Sequence, residues 1–502
     1  MTYLFYFSTC FNSTFLGGML DEAITLSKDP KNRVVFAHCD GTLDMCMFNQ
    51  KGSKALCRFC GKCTGKVIRN YNIENVSLRH FVNNKPHTFE YNTSEELRSI
   101  DYRNVHLGLG IISNYISMTR NLAPKIDSES RVYFDAHLQQ GVRFVDAAYR
   151  LIETVKPDVV YNYNPRYEEF RPFFDICKSI GVSCQITEAV KRDGTWRKVI
   201  YDNHLPHDIL KRKERREYCW AHYPMKEEEK VELGKSFYTK RRGGQDSGDK
   251  KIYVANQKEG EAPDFDESKR NIAIMNSSED EFAAVGGDWD ALKLFKTQYE
   301  GIIYLLENAD KKFHFYLRIH PNLSEIPFKY HTDLYKLEDK YDNITVVPAK
   351  SNMSTYTIME KCEKIICFGS TMGVESSFWG KTALLLGPSY YYYDDVVYVP
   401  KSKKELMDML KADLKPKGNI NVIKYGAYIL DNTPVHLPMN NIDCEVINKH
   451  FLGMHYHSSS FIHFMINEPI TGFYIAAVRK ILSSKFFTRH TIPLREEDWY
   501  ED

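Results

Sequence analysis

The stretch that decides the fold runs from Arg318 to Gly387: RIHPN at 318–322, then FGSTMGVESSFWGKTALLLG at 368–387. In both pieces an apolar strand ends and small or polar residues take over at its carboxyl edge. FYLRIHPN predicts a strand that stops at His320, because Pro321 forces the preceding residue out of the α region. KIICFGSTMGVE predicts a strand ending at Gly369 and a helix opened by Ser370 and Thr371. In open parallel α/β sheets, ligands bind outside the carboxyl ends of the strands. A helix beginning Ser-Thr-x-Gly offers unpaired backbone N–H groups and the positive end of its dipole, which suits a phosphate. Glu375 falls one turn further on, where a carboxylate can accept hydrogen bonds from ribose hydroxyls. The stretch reads as a site for a nucleotide-linked sugar, with Arg318, His320, Pro321, Gly369, Ser370, Thr371, Gly373 and Glu375 as candidate contacts.

Around it the chain alternates. Strand candidates KIYVAN, NIAIM, FHFYLRI, NITVV, KIICFG, TALLLG and VVYVP are separated by helix candidates at 289–308, 332–341, 353–363, 371–379 and 402–413. That rhythm predicts a doubly wound parallel sheet. Ser277, Ser278 and Glu279 follow NIAIM. Serines there can donate to phosphate oxygens, while SSEDEF is equally a helix cap with an acidic first turn. The amino-terminal half has the same grammar. YLFYFST at 3–9, a helix from Phe15 to Lys28 and RVVFAHC at 33–39 form a βαβ unit with parallel strands. DVVYNYNPR at 158–166 and VSCQITEA at 182–189 are further strands, and 94–155 is mostly helical. Their carboxyl ends present His38 and Asp40, Asn164 and Arg166, and Glu188. The reading is α/β: two Rossmann-like doubly wound domains facing a cleft, the GT-B architecture. The first domain spans 1–240, a linker 241–251, the second domain 252–414 and a helical extension 415–502.

Composition narrows the class. A 502-residue chain that is 43% hydrophobic and 26% charged is an ordinary globular one, and a net charge of +1 gives no reason to expect a nucleic-acid partner. No apolar run approaches the roughly 18–20 residues that span a bilayer. The opening TYLFYFST reads as a buried strand rather than a signal peptide. Twelve cysteines without a secretory signal point to reduced thiols in a cytoplasm. Cys39, Cys46, Cys57, Cys60 and Cys63 crowd the irregular insertion 39–66. Cys57-x-x-Cys60-x-x-Cys63 is spacing suited to a metal, with Cys39 or Cys46 as fourth ligand. Structural zinc comes first, an iron–sulfur cluster second, and unligated thiols are the alternative. The basic run KRKERREYCW at 211–220 reads as a solvated helix face. The aromatic and basic segment near the carboxyl terminus, with Arg479, Lys480, Lys485 and Arg489, reads two ways. It lies on an anionic membrane surface, giving peripheral contact with the inner membrane, or it packs back on the first domain. The periodicity favours the second.

NIAIMNSSEDEFAAVGGDW at 271–289, RIHPN and FGSTMGVESSFWGKTALLLG, taken in order, resemble the capsule polysaccharide biosynthesis group of GT-B glycosyltransferases. That group is similar to bacterial transferases that use CMP-linked acidic sugars and carry a His-Pro motif. CDGTLDMC…CRFCGKC and DVVYNYNPRYEEF…TEAV also resemble it, although the group's Asn-Gly-Arg is Asn164-Pro165-Arg166 here. The resemblance spans most of 1–413. It implies a cytoplasmic, metal-independent, inverting glycosyltransferase, with no catalytic metal. The second domain would bind a nucleotide-sugar donor, CMP-linked in first place, with His320 on its phosphate or pyrimidine. The first would bind a glycan or lipid-linked glycan acceptor of capsule or lipopolysaccharide through His38, Asn164 and Arg166, with Glu188 or Asp40 as base. A sugar-nucleotide 2-epimerase or a polyol-phosphate transferase of the same architecture is the enzymatic alternative. A non-catalytic glycan-binding scaffold is the other.

Overall fold

A computed structural model describes residues 1–9, 13–69, 71, 73–83, 85–192, 195–247, 252–431, 440–441 and 477–497. The chain divides into two compact units, residues 1–206 with 437–502 and residues 207–436.

The first unit is built on β1 (Thr2–Phe7), β2 (Arg33–His38), β3 (Glu74–Ser77), β4 (Val159–Tyr163), β5 (Ser183–Arg192) and β6 (Thr195–Asp202). Its parallel part runs β3-β2-β1-β4-β5, so the strand order reverses beside β1. Leu4, Phe5, Tyr6 and Phe7 are all buried, as both faces of a helix-covered parallel strand require. The helices Ser13–Ser27, Ser128–Val155 and Arg171–Ile180 belong to this unit, and Gly181, at φ +74°, closes the last of them. β6 was not expected: VSCQITEA continues to Arg192, and TWRKVIYD returns antiparallel along it. The insertion 39–66 is not wholly irregular either, since Lys54–Arg69 is a helix.

The second unit carries β7 (Arg270–Met275), β8 (Phe313–Arg318), β9 (Ile344–Val347), β10 (Lys364–Cys367) and β11 (Thr382–Leu385). All pair in parallel, in the order β11-β10-β7-β8-β9. Each expected strand from NIAIM to TALLLG is present. KIYVAN and VVYVP are not: residues 253–256 form turns, and Tyr398 makes only an isolated bridge to Leu384. The helix expected over 289–308 is two, Asp288–Ala291 and Gln298–Asn308.

The boundary falls earlier than the expected 240. Helices Ile209–His222 and Glu227–Arg242 belong to the second unit because they pack against helix Ile420–Leu430. Tyr238 donates to the Val422 carbonyl at 2.6 Å. Arg216, from the run expected to be solvated, is 3% exposed and pairs with the buried Asp394. The expected linker begins inside a helix, since Arg241 and Arg242 are its last residues; residues 248–251 lie outside those described. The expected extension divides as well. Residues 477–497 lie on the first unit, where Tyr115 donates to the Pro493 carbonyl at 2.6 Å and the Glu497 N–H to Ala123 at 3.0 Å. Residues 451–476 lie outside those described. Among the described residues no helix is long and apolar enough to cross a membrane.

The contact between Glu227–Arg242 and Ile420–Leu430 is made by glycine. A Cβ on Gly234 would collide with the Ile423 carbonyl oxygen, and one on Gly426 would collide with that of Gly234. Backbone cannot yield as a side chain can. Gly234→Ala should therefore lower stability by roughly 1–3 kcal/mol, the usual cost of overpacking, as read from denaturant midpoints at unchanged slope.

Candidate functional site

β7 and β10 are neighbours, but the chain leaves them toward opposite edges of the sheet, to β8 and to β11. A crevice opens at such a switch point, at the carboxyl ends. A pocket of about 650 Å³ lies there. It is lined by Asn276 after β7, by Arg318, His320 and Pro321 at the end of β8, and by Ser370, Thr371 and Glu375 after β10. The two motifs of the sequence thus meet in one cavity.

His320 is held at both ends. Its backbone N–H donates to Asn276 Oδ1 at 2.8 Å, and its Nδ1 accepts from the Asn322 N–H at 3.2 Å. A neutral imidazole whose Nδ1 accepts carries its proton on Nε2, which is then a donor. The ring of Tyr253 stands edge-on to it at 5.1 Å.

Glu375 is fully buried, and both of its oxygens are engaged. Arg241 Nε donates to Oε1 at 3.0 Å, and the Tyr356 hydroxyl donates to Oε2. Arg241 also donates from Nη2 to Thr371 Oγ1 at 3.0 Å. The carboxylate expected to meet a ribose instead anchors a cation at the pocket wall. Arg318 is 3% exposed and burial pushes its guanidinium down to about 10, still cationic at neutral pH. It donates to the carbonyls of Pro348 and Ser351 and so ties the loop after β9 to the pocket. The helix after β10, Met372–Phe378, has seven residues. Its first turn is partly spent on itself, because Met372 N donates to Ser370 Oγ at 3.3 Å and Gly373 N to the Ser370 carbonyl at 3.2 Å. Positive charge in the pocket therefore comes from Arg241 and Arg318 more than from a dipole.

The other expected donor contacts fall elsewhere. Gly369, at φ +129°, has no room for a Cβ, which would meet the Pro388 carbonyl oxygen at 2.9 Å. Gly373 abuts the Tyr391 hydroxyl. Ser278 Oγ donates to Asp280 Oδ1 at 2.8 Å and makes no cap bond. Ser277 and Glu279 line a separate pocket of about 420 Å³.

In the first unit, His38 Nδ1 lies 3.1 Å from the Val76 carbonyl, and burial lowers its pKa. Asp40, at φ +48°, accepts from Ser77 Oγ at 2.8 Å. Glu188 lies on β5, opposite Val199 of β6. Asn164 Oδ1 accepts from the Arg166 N–H at 3.2 Å, and the Arg166 guanidinium donates to Ser113 Oγ at 3.1 Å and Ser117 Oγ at 3.2 Å. The structure draws these residues to the carboxyl edge of one sheet. It also builds a hydrogen-bonded cluster that was not expected. His137 Nδ1 lies 2.8 Å from Glu168 Oε2, Gln140 donates to Glu168 Oε1 at 2.7 Å, and Asn114 donates to Glu169 Oε2 at 2.7 Å. Burial, helped by the charge of Glu168, pushes Glu169 up to about 7.

The cysteine reading is not supported. Among the described residues no group of three or more His, Cys, Asp or Glu side chains is placed to hold a metal ion. Cys57 and Cys60 sit on the helix Lys54–Arg69, and their sulfurs meet protein partners. Asn49 Nδ2 lies 3.0 Å from Cys57 Sγ, Thr9 Oγ1 lies 3.4 Å from Cys60 Sγ, and Cys39 Sγ accepts from the Leu43 N–H at 3.3 Å. Burial raises the pKa of Cys39, Cys46 and Cys57. The side chain of Cys63 lies outside those described.

No family model and no curated protein sequence matches the chain. Solved structures that resemble it include the β-Kdo 2,4 transferase of Thermosulfurimonas dismutans KpsC, with 12% identity over 62% of this chain and 88% of that one and a TM-score of 0.35. Another is the UDP-GlcNAc 2-epimerase of Neisseria meningitidis bound to UDP-GlcNAc, with 11% identity over 85% and 98% and a TM-score of 0.25. A third is the spinosyn rhamnosyltransferase SpnG, with 11% identity over 86% and 94% and a TM-score of 0.20. Likenesses this loose assign no activity to the chain, so the pocket geometry has to carry any functional reading.

Two outcomes test the electrostatics. Arg241→Met leaves Glu375 buried without its cationic partner, so it should cost roughly 3–5 kcal/mol, and Arg241→Met with Glu375→Gln should regain most of that. Denaturant titrations of the single and double variants read this. Glu169 stays neutral in the folded chain up to about pH 7 but ionises near 4.5 when unfolded. Its contribution is therefore complete below pH 4.5 and is lost as pH rises through 7. Melts across pH 4–8 should show Glu169→Gln gaining on the parent over that window, by at most about 3 kcal/mol.

Proposed function

We propose that the chain is a GT-B glycosyltransferase whose second unit grips the nucleotide of a sugar donor, with a CMP-linked donor as the first candidate. The observation that supports this is the meeting of His320, Arg241, Thr371 and Asn276 around one pocket at the β7/β10 switch point. In an inverting transfer a base removes the proton of an acceptor hydroxyl. The hydroxyl oxygen bonds to the anomeric carbon, and the nucleotide leaves with the electron pair of its bond to the sugar. The departing phosphate needs fixed positive charge and donors. Arg241 supplies a cation held in place by Glu375, and His320 supplies an N–H whose direction is set by Asn322. Tyr253 and Tyr356 offer aromatic walls for the nucleoside. The acceptor would be a glycan or lipid-linked glycan of a bacterial surface polysaccharide, held by the first unit, with Glu188 or Asp40 as base. That assignment rests on the sequence resemblance.

A thermal-shift panel of CMP, CDP, UDP, GDP and their sugar conjugates tests the reading. The matching nucleotide at 100 times its dissociation constant should add about 2.7 kcal/mol. His320→Ala should abolish that response while leaving the unliganded melt in place. An undiminished response removes His320 from the site. Release of isomerised sugar nucleotide without any acceptor assigns the pocket to an epimerase instead.

A further inference from the structure

The segment 477–497 is tied to the first unit on both sides of an exposed turn. On one side the Arg479 guanidinium lies over the Phe48 ring at 5.1 Å. On the other, the Arg489 and His490 N–H groups donate to the Lys51 carbonyl at 2.9 and 3.1 Å, and Arg489 Nε donates to the Gly52 carbonyl at 2.8 Å. Between these anchors residues 483–487 turn. Phe486 there is 96% exposed and Phe487 43%, and Ile481 just before the turn is 60% exposed. A lone apolar side chain in water needs no explanation. Here a fixed backbone gathers three of them outside the core, where they add little to the folding of this unit.

The charges around them have one sign. Residues 477–490 contain Arg479, Lys480, Lys485 and Arg489 and no Asp or Glu. The anchor at Lys51 and Gly52 leads into the helix Lys54–Arg69, which has no Asp or Glu either. Leu56, Thr64 and Ile68 bury one face of that helix. Lys54, Arg58 and Lys62, at steps of four, form an exposed stripe along it. Arg489 meets Asp44 at 3.5 Å. Among the described residues Lys54, Arg58, Lys62, Lys480 and Lys485 have no acidic partner. Exposed rings beside unpaired cations are the chemistry of an interfacial surface. The rings enter at the level of the lipid headgroups, and the cations meet anionic phosphates. A soluble polyanion would use the charges without the rings, and a second copy of the chain would bring like charge against like.

We propose that this face of the first unit docks on an anionic phospholipid bilayer, with Phe486 and Ile481 inserted among the headgroups and the helix stripe and the two lysines of the turn region held against the phosphates. Packing on the first unit and contact with a membrane, which read as alternatives in the sequence, are then two sides of one segment. The proposal is independent of the nucleotide reading of the second unit.

Vesicle co-sedimentation of the full chain, without nucleotide, tests it. Phosphatidylcholine vesicles with about one-third phosphatidylglycerol should retain the chain at least about tenfold better than phosphatidylcholine alone, and raising salt from about 0.1 M to about 0.5 M should reverse most of that gain. Phe486→Ser, and Lys54→Glu combined with Arg58→Glu, change exposed side chains only. Each, checked for a parent-like melt, should lower the partition by about tenfold or more. Phe486→Trp should add a fluorescence component that brominated phosphatidylcholine in the same vesicles quenches. Equal retention by both kinds of vesicle overturns the proposal. So does loss on charge reversal with Phe486→Ser binding as the parent does, which would describe a surface for soluble polyanions. Dimerisation that Phe486→Ser abolishes, in place of vesicle binding, would give the face to a second copy and overturn it as well.

Discussion

Glu375 has no exposed surface, and a carboxylate taken out of water persists only with partners that replace its hydration. Arg241 and Tyr356 are those partners, and each brings an element with it. Tyr356 comes from the helix Thr355–Lys361, and Arg241 from the end of Glu227–Arg242. The same guanidinium reaches Thr371, so one buried charge fixes the helix after β10, the wall beside it and the position of a cation. The Gly234–Gly426 crossing seats the far half of the Glu227–Arg242 helix. Together these contacts explain why residues 207–242 fold with the second sheet.

The parallel order β11-β10-β7-β8-β9 then does the rest of the positioning. Loops leaving β7 and β10 diverge, and what they diverge around is open space. Because Gly369 lets the backbone after β10 run against Pro388, that space is divided in two. The polar groups sort accordingly. Fixed cations and an imidazole donor lie on one side, and a titratable carboxyl among aromatic rings lies on the other.

Much of this was legible in the sequence where the signal was local. Pro321 after His320 and the small residues after KIIC mark strand ends without knowledge of the fold, and the structure places both at one pocket. Gly181 announced the end of its helix. The errors came from long-range contacts. KRRGGQDSGDKK has the composition of a linker, yet Arg241 is captured by a carboxylate 134 residues away. A basic run is usually solvated, but Arg216 finds Asp394 at a separation of 178 residues. The cysteine spacing was clear, but its outcome depended on what surrounds the thiols. Burial and hydrogen-bonding neighbours are not written in a spacing. His137, Glu168 and Glu169 meet only because a long helix lies across the carboxyl end of β4, which no motif declares.

The same reasoning separates two kinds of positive site that look alike in sequence. A Ser-Thr-x-Gly helix opening suggests an anion held by unpaired N–H groups and a dipole. A seven-residue helix whose first donors turn back on Ser370 has little of either left. A guanidinium locked between Glu375 and Thr371 is a stronger and more directional partner for a phosphate, and its orientation is set before any ligand arrives. The fixed positive charge beside the motif belongs to an arginine outside it, and Glu375 matters for holding that arginine in place.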